Sequence, residues 1–177
     1  HHQKLKVMSA FSQVNLKSNE YLLRERRKCD FIDFVEKGIL IYFKIYEKGE
    51  EITTDFAQEG DWVTDNYSRL TGKTSTMNIK SLEDTDLFVI KSDILEQLYK
   101  EVPGLERLGR ILTEAAFVKF IQLSIDLQML SAKERYLKMM KEYPMILQRV
   151  SLHHIADYLG IAPKSLSRLR KEVLHKR

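Results

Sequence analysis

Apolar and polar residues follow one another in short runs along the first half of the chain, a pattern typical of β-strands. Branched and aromatic residues concentrate in five such runs, at residues 31–35, 39–46, 51–57, 77–82 and 86–91. Turn-forming residues separate them, and Lys48 with Gly49 is predicted to form the tight turn of a hairpin. Short strands at this spacing predict a sandwich, a barrel or a jelly roll.

After residue 91 the pattern changes to helical spacing. Ser92 is predicted to cap a short helix over residues 93–100, which a Pro-Gly pair at 103 and 104 follows. Residues 105–128 then form one uninterrupted helical segment, which would span roughly 36 Å. Apolar residues occupy most of its circumference. Such a helix must be covered on several sides.

A single chain of this size cannot cover the whole of that long helix. One side can pack on the β-rich domain, and the simplest cover for another side is the same helix of a second subunit. The alternative is a central helix inside a larger core, but only a small C-terminal segment remains to enclose it. We therefore predict a homodimer, with its contact at Leu108, Ile111, Ala115, Val118 and Ile125.

Residues 132–143 predict a further amphipathic helix, and residues 152–171 carry the strongest motif of the chain. A helix-turn-helix packs two short helices around a small core, so apolar and small residues recur at fixed offsets. Those positions hold Ile155, Ala156, Leu159, Ile161, Leu166 and Leu169. Gly160 supplies the positive φ of the tight turn. Ser151 and Pro163 suit the starts of the first and second helices.

Polar residues on the second of these helices are donors that read base edges or hold phosphates. Arg168 is the first choice for a base contact, because arginine binds guanine through two hydrogen bonds. The predicted DNA-binding residues are Lys164, Ser165, Ser167, Arg168, Arg170 and Lys171, with His153, Lys176 and Arg177 as further phosphate contacts. The alternative is a two-helix corner with a solvated basic face.

Charge and composition narrow the function further. Residues 131–177 carry eleven Lys/Arg and four Asp/Glu, a net of +7, whereas residues 1–130 carry a net of −3. A basic module on an acidic body suggests that one end of the molecule meets a polyanion. The only cysteine, Cys29, excludes an internal disulfide and an iron–sulfur cluster. No apolar run approaches the roughly 18 residues that span a membrane and no signal peptide is evident, so we expect a cytoplasmic protein.

The order of these parts resembles the cyclic-AMP receptor protein/FNR superfamily of bacterial transcription regulators. The matching stretches are YLLR at 21–24, FVEKG at 34–38, EGDWV at 59–63, SLED at 81–84 and IADYLG at 155–160. The resemblance implies an α+β chain with an N-terminal β-roll or jelly roll, a long dimerisation helix and a C-terminal winged-helix/helix-turn-helix domain. The corresponding boundaries are 1–103, 104–130 and 131–177. It also implies a homodimer on a palindromic double-stranded DNA site, with contact to RNA polymerase and a small-molecule effector as further expectations.

The chain departs from that family where a cyclic nucleotide would bind. Members that bind one carry a Gly-Glu pair and an Arg-Ser pair in the roll, and the positions here align with Thr64-Asp65 and Ser75-Thr76. A buried phosphate without a cation loses water and gains no partner. Arg69 and Lys73 are nearby in sequence, but neither stands at the expected position. We therefore expect no cyclic AMP and assign Asp65, Ser75 and Thr76 to a pocket for an unknown effector.

Two rival functions come from other classes of protein. The first is a ligand-binding module whose C-terminal helices contact a protein instead of DNA. The second is a jelly-roll enzyme of the cupin type, which needs a cluster of histidine and carboxylate ligands inside the roll. No histidine occurs between His2 and His153, and no catalytic triad is evident, so we expect neither a metal centre nor an enzyme.

Overall fold

The computed structural model describes residues 2–46 and 49–174. Its strands are β1 (Ser12–Leu16), β2 (Tyr21–Leu23), β3 (Phe31–Lys37), β4 (Leu40–Ile45), β5 (Glu51–Ala57), β6 (Trp62–Val63), β7 (Asn78–Ser81) and β8 (Thr85–Lys91). The five predicted strand runs correspond to β3, β4, β5, β7 and β8. Lys48 of the predicted turn lies outside the described residues, while Gly49 has the positive φ, 77°, that such a turn requires.

The strands form two antiparallel sheets, which pack face to face as a roll. One sheet has the order β1-β8-β3-β6 and the other β2-β7-β4-β5. The hairpin of β4 and β5 is confirmed, since Leu40 pairs with Ala57 and Ile41 with Phe56. Alternate residues of β3 face the interior, which is why Val35 is fully buried between the sheets. The predicted roll is therefore confirmed.

Four helices belong to the roll or lead away from it. They are α1 (His2–Ser9), α2 (Asn66–Thr71), α3 (Ser92–Glu101) and α4 (Pro103–Met129). The long helix is confirmed and is slightly longer than predicted. The prediction that Ser92 caps α3 is wrong: Lys91 holds the cap position, and Ser92 is the first helical residue. The Ser92 hydroxyl has no hydrogen-bond partner within the described residues.

The remaining helices form a compact C-terminal bundle. They are α5 (Ala132–Glu142), α6 (Pro144–Arg149), α7 (Leu152–Tyr158) and α8 (Pro163–Leu174). Helix α5 begins with a capping box, in which Ser131 and Glu134 bond each other's backbone N–H groups. The predicted helix over 132–143 is α5, and the sequence patterns gave no warning of α1, α2 or α6.

The bundle and the roll share one hydrophobic core. Ile41, Phe43 and Phe56 of β4 and β5 belong to the same buried cluster as Ile146, Ile155 and Leu166 of the bundle. A second buried cluster lies between the two sheets, and a third lies where α3 covers the outer face of β8. The C-terminal bundle is thus packed directly on the roll.

Candidate nucleic-acid interface

Helices α7 and α8 form the helix-turn-helix. The Ile155 and Leu166 side chains are completely buried between them, and Ala156 is equally buried at the close approach of the two helices. Gly160 has a φ of 66°, and the Ile161 N–H donates to the Ala156 carbonyl at 3.0 Å, which closes the turn. Ser151 does hold the cap position of α7, although its side chain makes no capping hydrogen bond.

Helix α8 presents a continuous polar stripe to solvent. Lys164, Arg168 and Lys171 are exposed, and at about 100° per residue they lie on one face, opposite the buried Leu166. This stripe extends over roughly 10 Å along the helix. Ser165 and Ser167 flank it and are exposed as well, whereas Arg170 is half-buried at the edge of the bundle. Lys176 and Arg177 lie outside the described residues.

Within the described part of the chain, the basic side chains of this stripe have no acidic partner. Among the described residues, no salt bridge includes Lys164, Arg168, Arg170 or Lys171. The Ser167 hydroxyl donates to the Pro163 carbonyl at 3.1 Å, a bond within its own helix. The stripe therefore combines unpaired cations with a rigid helical support, as phosphate and base recognition requires.

Helix α7 is fixed to strand β5 by polar contacts as well as by the shared core. The Thr53 N–H donates to Asp157 Oδ2 at 3.1 Å, and the Thr53 hydroxyl lies 2.8 Å from His154 Nδ1. The Phe56 and Tyr158 rings pack with centroids 5.3 Å apart. His154 is half-buried by these contacts, and this burial lowers its pKa. His153 is exposed, 3.7 Å from Asp157.

Arginine 149 makes a second connection between the bundle and the roll. It stands at the end of α6, and its two terminal nitrogens each donate to a Glu59 carboxylate oxygen at 2.8 Å. It also pairs with Glu83. The arginine hydrogen bonds lower the pKa of Glu59 to about 2, and Glu59 in turn accepts from the Gly38 N–H at 2.8 Å.

Neither Thr53 nor Arg149 was identified from the sequence. Their contacts connect residues separated by about a hundred positions along the chain, so no local spacing marks them. The one sequence signal for the Arg149 contact is Glu59, which lies in the EGDWV stretch at 59–63 that resembles the family. That stretch by itself does not identify the partner of Glu59.

The predicted dimer face lies along α4 and is open to solvent in the single chain. Leu108, Ile111, Val118 and Ile125 are between 45% and 64% exposed, and Ala115 is also exposed. Further large apolar side chains of α4 are exposed around the helix, among them Phe117, Phe120, Leu127 and Met129. Monomeric proteins rarely expose so many neighbouring apolar side chains.

The three residues assigned to an effector pocket stay a prediction, and the structure shows the local surroundings of each. Asp65 is buried and caps α2, where its Oδ1 accepts from the Tyr67 N–H at 3.0 Å. Ser75 is buried and bonds the backbone of Met77, with distances of 2.9 Å to the carbonyl and 3.1 Å to the N–H. Thr76 is exposed. Asp65 and Ser75 are thus engaged in local hydrogen bonds, while the second carboxylate oxygen of Asp65, Oδ2, is buried without a partner among the described residues.

A cyclic phosphate does not fit these residues. The charged side chains buried in the roll are the carboxyls of Asp33 and Asp65, and no Lys or Arg of the described residues is buried with them. Neither oxygen of Asp33 has a hydrogen-bond partner within the described part of the chain. Burial raises the pKa of Asp33 to about 7. A phosphate anion buried in the interior of the roll would meet no buried cation of the described residues, at a large desolvation cost.

Comparison with known proteins agrees with this architecture. The family model of the cyclic nucleotide-binding domain matches residues 13–102, just over half of the chain. The chain belongs to the cyclic nucleotide-binding domain family. This match covers the roll and α3. No curated protein sequence matches the chain significantly.

Solved structures extend the likeness to the C-terminal bundle. FixK2 from Bradyrhizobium japonicum is 18% identical with a TM-score of 0.81, over 94% of this chain and 85% of that one. A CooA mutant from Carboxydothermus hydrogenoformans is 15% identical with a TM-score of 0.76, over 97% and 79%. The regulator CLP from Xanthomonas campestris is 14% identical with a TM-score of 0.74, over 99% and 92%. At these identities the likeness shows the fold, and it confirms the predicted resemblance to the cyclic-AMP receptor protein/FNR architecture.

No helix among the described residues is long and apolar enough to cross a membrane. Within residues 2–46 and 49–174, no group of three or more His, Cys, Asp or Glu side chains is arranged to hold a metal ion.

Proposed function

We propose that this protein is a sequence-specific DNA-binding transcription regulator that acts as a homodimer in the bacterial cytoplasm and has no enzymatic activity. The observation that carries the proposal is the exposed stripe of Lys164, Arg168 and Lys171 on a well-packed helix-turn-helix, which forms no salt bridge with the residues that the structure describes. CLP, which shares the fold, is described as a global regulator linking cell-cell signalling to virulence gene expression.

In the proposed complex, α8 enters the major groove. Arg168 contacts a base edge, with Lys164, Ser165 and Ser167 beside it, while Lys171, Arg170 and His153 hold phosphates. Residues 1–103 form the sensor, 104–130 the dimerisation helix and 131–177 the DNA-binding domain. Pairing of two α4 helices through Leu108, Ile111, Ala115, Val118 and Ile125 presents two copies of α8 to a palindromic site. Their half-sites lie about one helical turn apart, roughly 34 Å.

Two further partners follow from this role. A regulator bound upstream of a promoter is placed to contact RNA polymerase. The roll is proposed to sense a small molecule other than a cyclic nucleotide, because its buried charges are acidic.

The test is selection of random duplex DNA by the purified protein, followed by affinity measurements on the enriched sequence. Arg168→Ala should lose about 1–3 kcal/mol of binding free energy and relax specificity at one position of each half-site. Lys171→Ala should weaken binding to all sequences and reduce the salt slope by about 1. Arg110→Ala is the matched control, since Arg110 lies on α4 and pairs with Glu114.

Each outcome separates the rival functions. Enrichment of a palindrome in which Arg168→Ala relaxes the preference at one position of each half-site supports the proposal. Salt-sensitive binding to every duplex without enrichment indicates a regulator that needs its effector. Absence of DNA affinity even at low salt overturns the proposal and favours the alternative, a ligand-binding module whose C-terminal helices contact another protein.

A further inference from the structure

A cavity lies outside the roll, between its β1-β8-β3-β6 sheet and helices α2, α3 and α4. Its volume is about 130 Å³. Most of its wall is apolar, and Trp62, Ile90, Leu95 and Leu112 contribute large side chains from four different elements. A dry apolar cavity of about 150 Å³ is large enough to bind benzene. The space therefore accommodates a compact hydrocarbon body of about six carbons.

One end of the cavity carries a positive charge. Arg69 of α2 lines it, and an Arg69 terminal nitrogen donates to Asn66 Oδ1 at 3.0 Å. The Arg69 Nε is buried and has no hydrogen-bond partner among the described residues, where no carboxylate forms a salt bridge with this guanidinium. A half-buried arginine without an ionic partner among the described residues is suited to a carboxylate, which accepts from a guanidinium through two oxygens.

Backbone contacts position Arg69 on one wall of the cavity, and close packing of α3 on α4 forms the opposite wall. The Arg69 N–H donates to the carbonyl of Asp65, the residue that caps α2, at 2.9 Å. On α4, the absence of a side chain at Gly109 makes room for the Tyr99 ring, because a Cβ there would stand 2.3 Å from the Tyr99 hydroxyl oxygen. The cavity is thus part of the packing between α3 and α4.

We propose that this cavity binds a small apolar carboxylate, with the carboxylate on Arg69 and the hydrocarbon body against Trp62 and Leu112. The site is separate from the interior of the roll, where the buried groups are acidic. The proposal rests on the proposed function for one consequence only. Leu108 belongs both to the cavity wall and to the predicted dimer face, so a bound ligand would act on the pairing of α4 and hence on DNA binding.

Trp62 makes direct measurement practical, because it is the only tryptophan of the chain and lines the cavity. The full-length protein is titrated with cyclohexanecarboxylate, which does not absorb where tryptophan is excited. Cyclohexylmethanol serves as an uncharged ligand of nearly the same shape. We expect a saturable change in Trp62 fluorescence with the carboxylate. The alcohol should bind at least about ten-fold more weakly, since it cannot form a charge-assisted hydrogen bond with Arg69.

Variants at Arg69 test the role of charge. Arg69→Gln should weaken the carboxylate at least ten-fold and leave the alcohol unchanged. Arg69→Lys, which keeps the charge, should bind the carboxylate with intermediate affinity. Arg110→Gln, an exposed arginine on α4 outside the cavity, should bind both ligands like the unaltered protein. Circular dichroism confirms that each variant is folded.

Three results would overturn the proposal. The first is the absence of any saturable fluorescence change, which is expected if the partner's α4 fills the cavity in the dimer. The second is equal affinity for the acid and the alcohol, and the third is unchanged carboxylate binding in a folded Arg69→Gln variant. Fluorescence is measured without DNA, and DNA affinity is measured separately without ligand. A failure of DNA binding therefore leaves the ligand result intact, and the reverse also holds.

Discussion

Replacement of Arg149 by glutamine tests whether the bundle is held on the roll by the contacts described above. Arg149→Gln preserves the length of the side chain but removes the charge and the two-pronged contact with Glu59. The side chain of Arg149 is 24% exposed and that of Glu59 is 37% exposed. The pair is thus intermediate between a surface ion pair, worth about 0–1 kcal/mol, and a buried charged hydrogen bond, worth about 1.5–3 kcal/mol.

The expected magnitude follows from Glu59. In the folded protein its pKa is lowered from 4.5 to about 2, and the hydrogen bonds from Arg149 are the largest cause. A change of that size corresponds to about 3 kcal/mol at 1.36 kcal/mol per unit. Solvent screening reduces this figure, because more than a third of the Glu59 side chain is exposed. We therefore expect Arg149→Gln to lower the free energy of unfolding by about 2 kcal/mol.

Urea denaturation at pH 7 measures this loss. With a slope of about 2 kcal/mol per molar urea, the midpoint should fall by about 1 M. The matched control is Arg110→Gln, which removes an exposed pair with Glu114 and should change the free energy by no more than about 0.5 kcal/mol.

The pH dependence provides an independent check of the cause. The folded pKa of Glu59 is below its unfolded value, so the stabilisation is fully present above pH 4.5 and is lost as pH falls toward 2. The difference between the two proteins should therefore shrink over that window. A midpoint change below about 0.2 M at pH 7, or a difference that is the same at pH 3 as at pH 7, would refute the assignment of Arg149 as a stabilising contact between bundle and roll.

Three further changes test other parts of the structure. Leu166→Ala empties a fully buried position of the helix-turn-helix core, so thermal or urea unfolding should show a loss of about 2–5 kcal/mol. Asp33→Asn removes a buried carboxyl whose folded pKa is raised to about 7. The unaltered protein should lose up to about 4 kcal/mol as pH rises from 4 to 7, whereas the variant should not, and equal pH profiles would contradict this. Val118→Asp places a charge on the α4 face, and sedimentation should show a smaller species than the unaltered protein; an unchanged mass would exclude that face as the dimer contact.

The sequence predicted the parts of this fold that depend on local periodicity. The strands β3, β4 and β5 have strongly apolar and branched sequences, and α4 has a continuous helical pattern of apolar residues. The helix-turn-helix was recognisable because its core needs small and apolar residues at fixed offsets, so Ala156, Gly160 and Leu166 identify it together. In each case, neighbouring residues carry the information.

What the sequence did not predict depends on contacts between distant parts of the chain. Helices α2 and α6 have only six residues each, too few for a periodic signal. Ser92 resembles a cap by residue type, yet the chain enters α3 one residue earlier from β8, so Lys91 occupies that position. His154 resembles a surface residue until β5 brings Thr53 to within 2.8 Å of its ring. No spacing within either segment encodes that encounter.

These long-range contacts determine how a signal could reach DNA. Helix α7 is attached to β5 through Thr53, and α6 is attached to the roll through Arg149, so the roll and the helix-turn-helix of one subunit share a core and behave as a single body. In the proposed dimer, the separation of the two recognition helices is then set by how two such chains pair along α4. An effector that alters the pairing of α4 changes that separation without altering either helix-turn-helix. A substitution such as Arg149→Gln should instead loosen α8 within each subunit and weaken DNA binding even when the α4 pairing is unchanged.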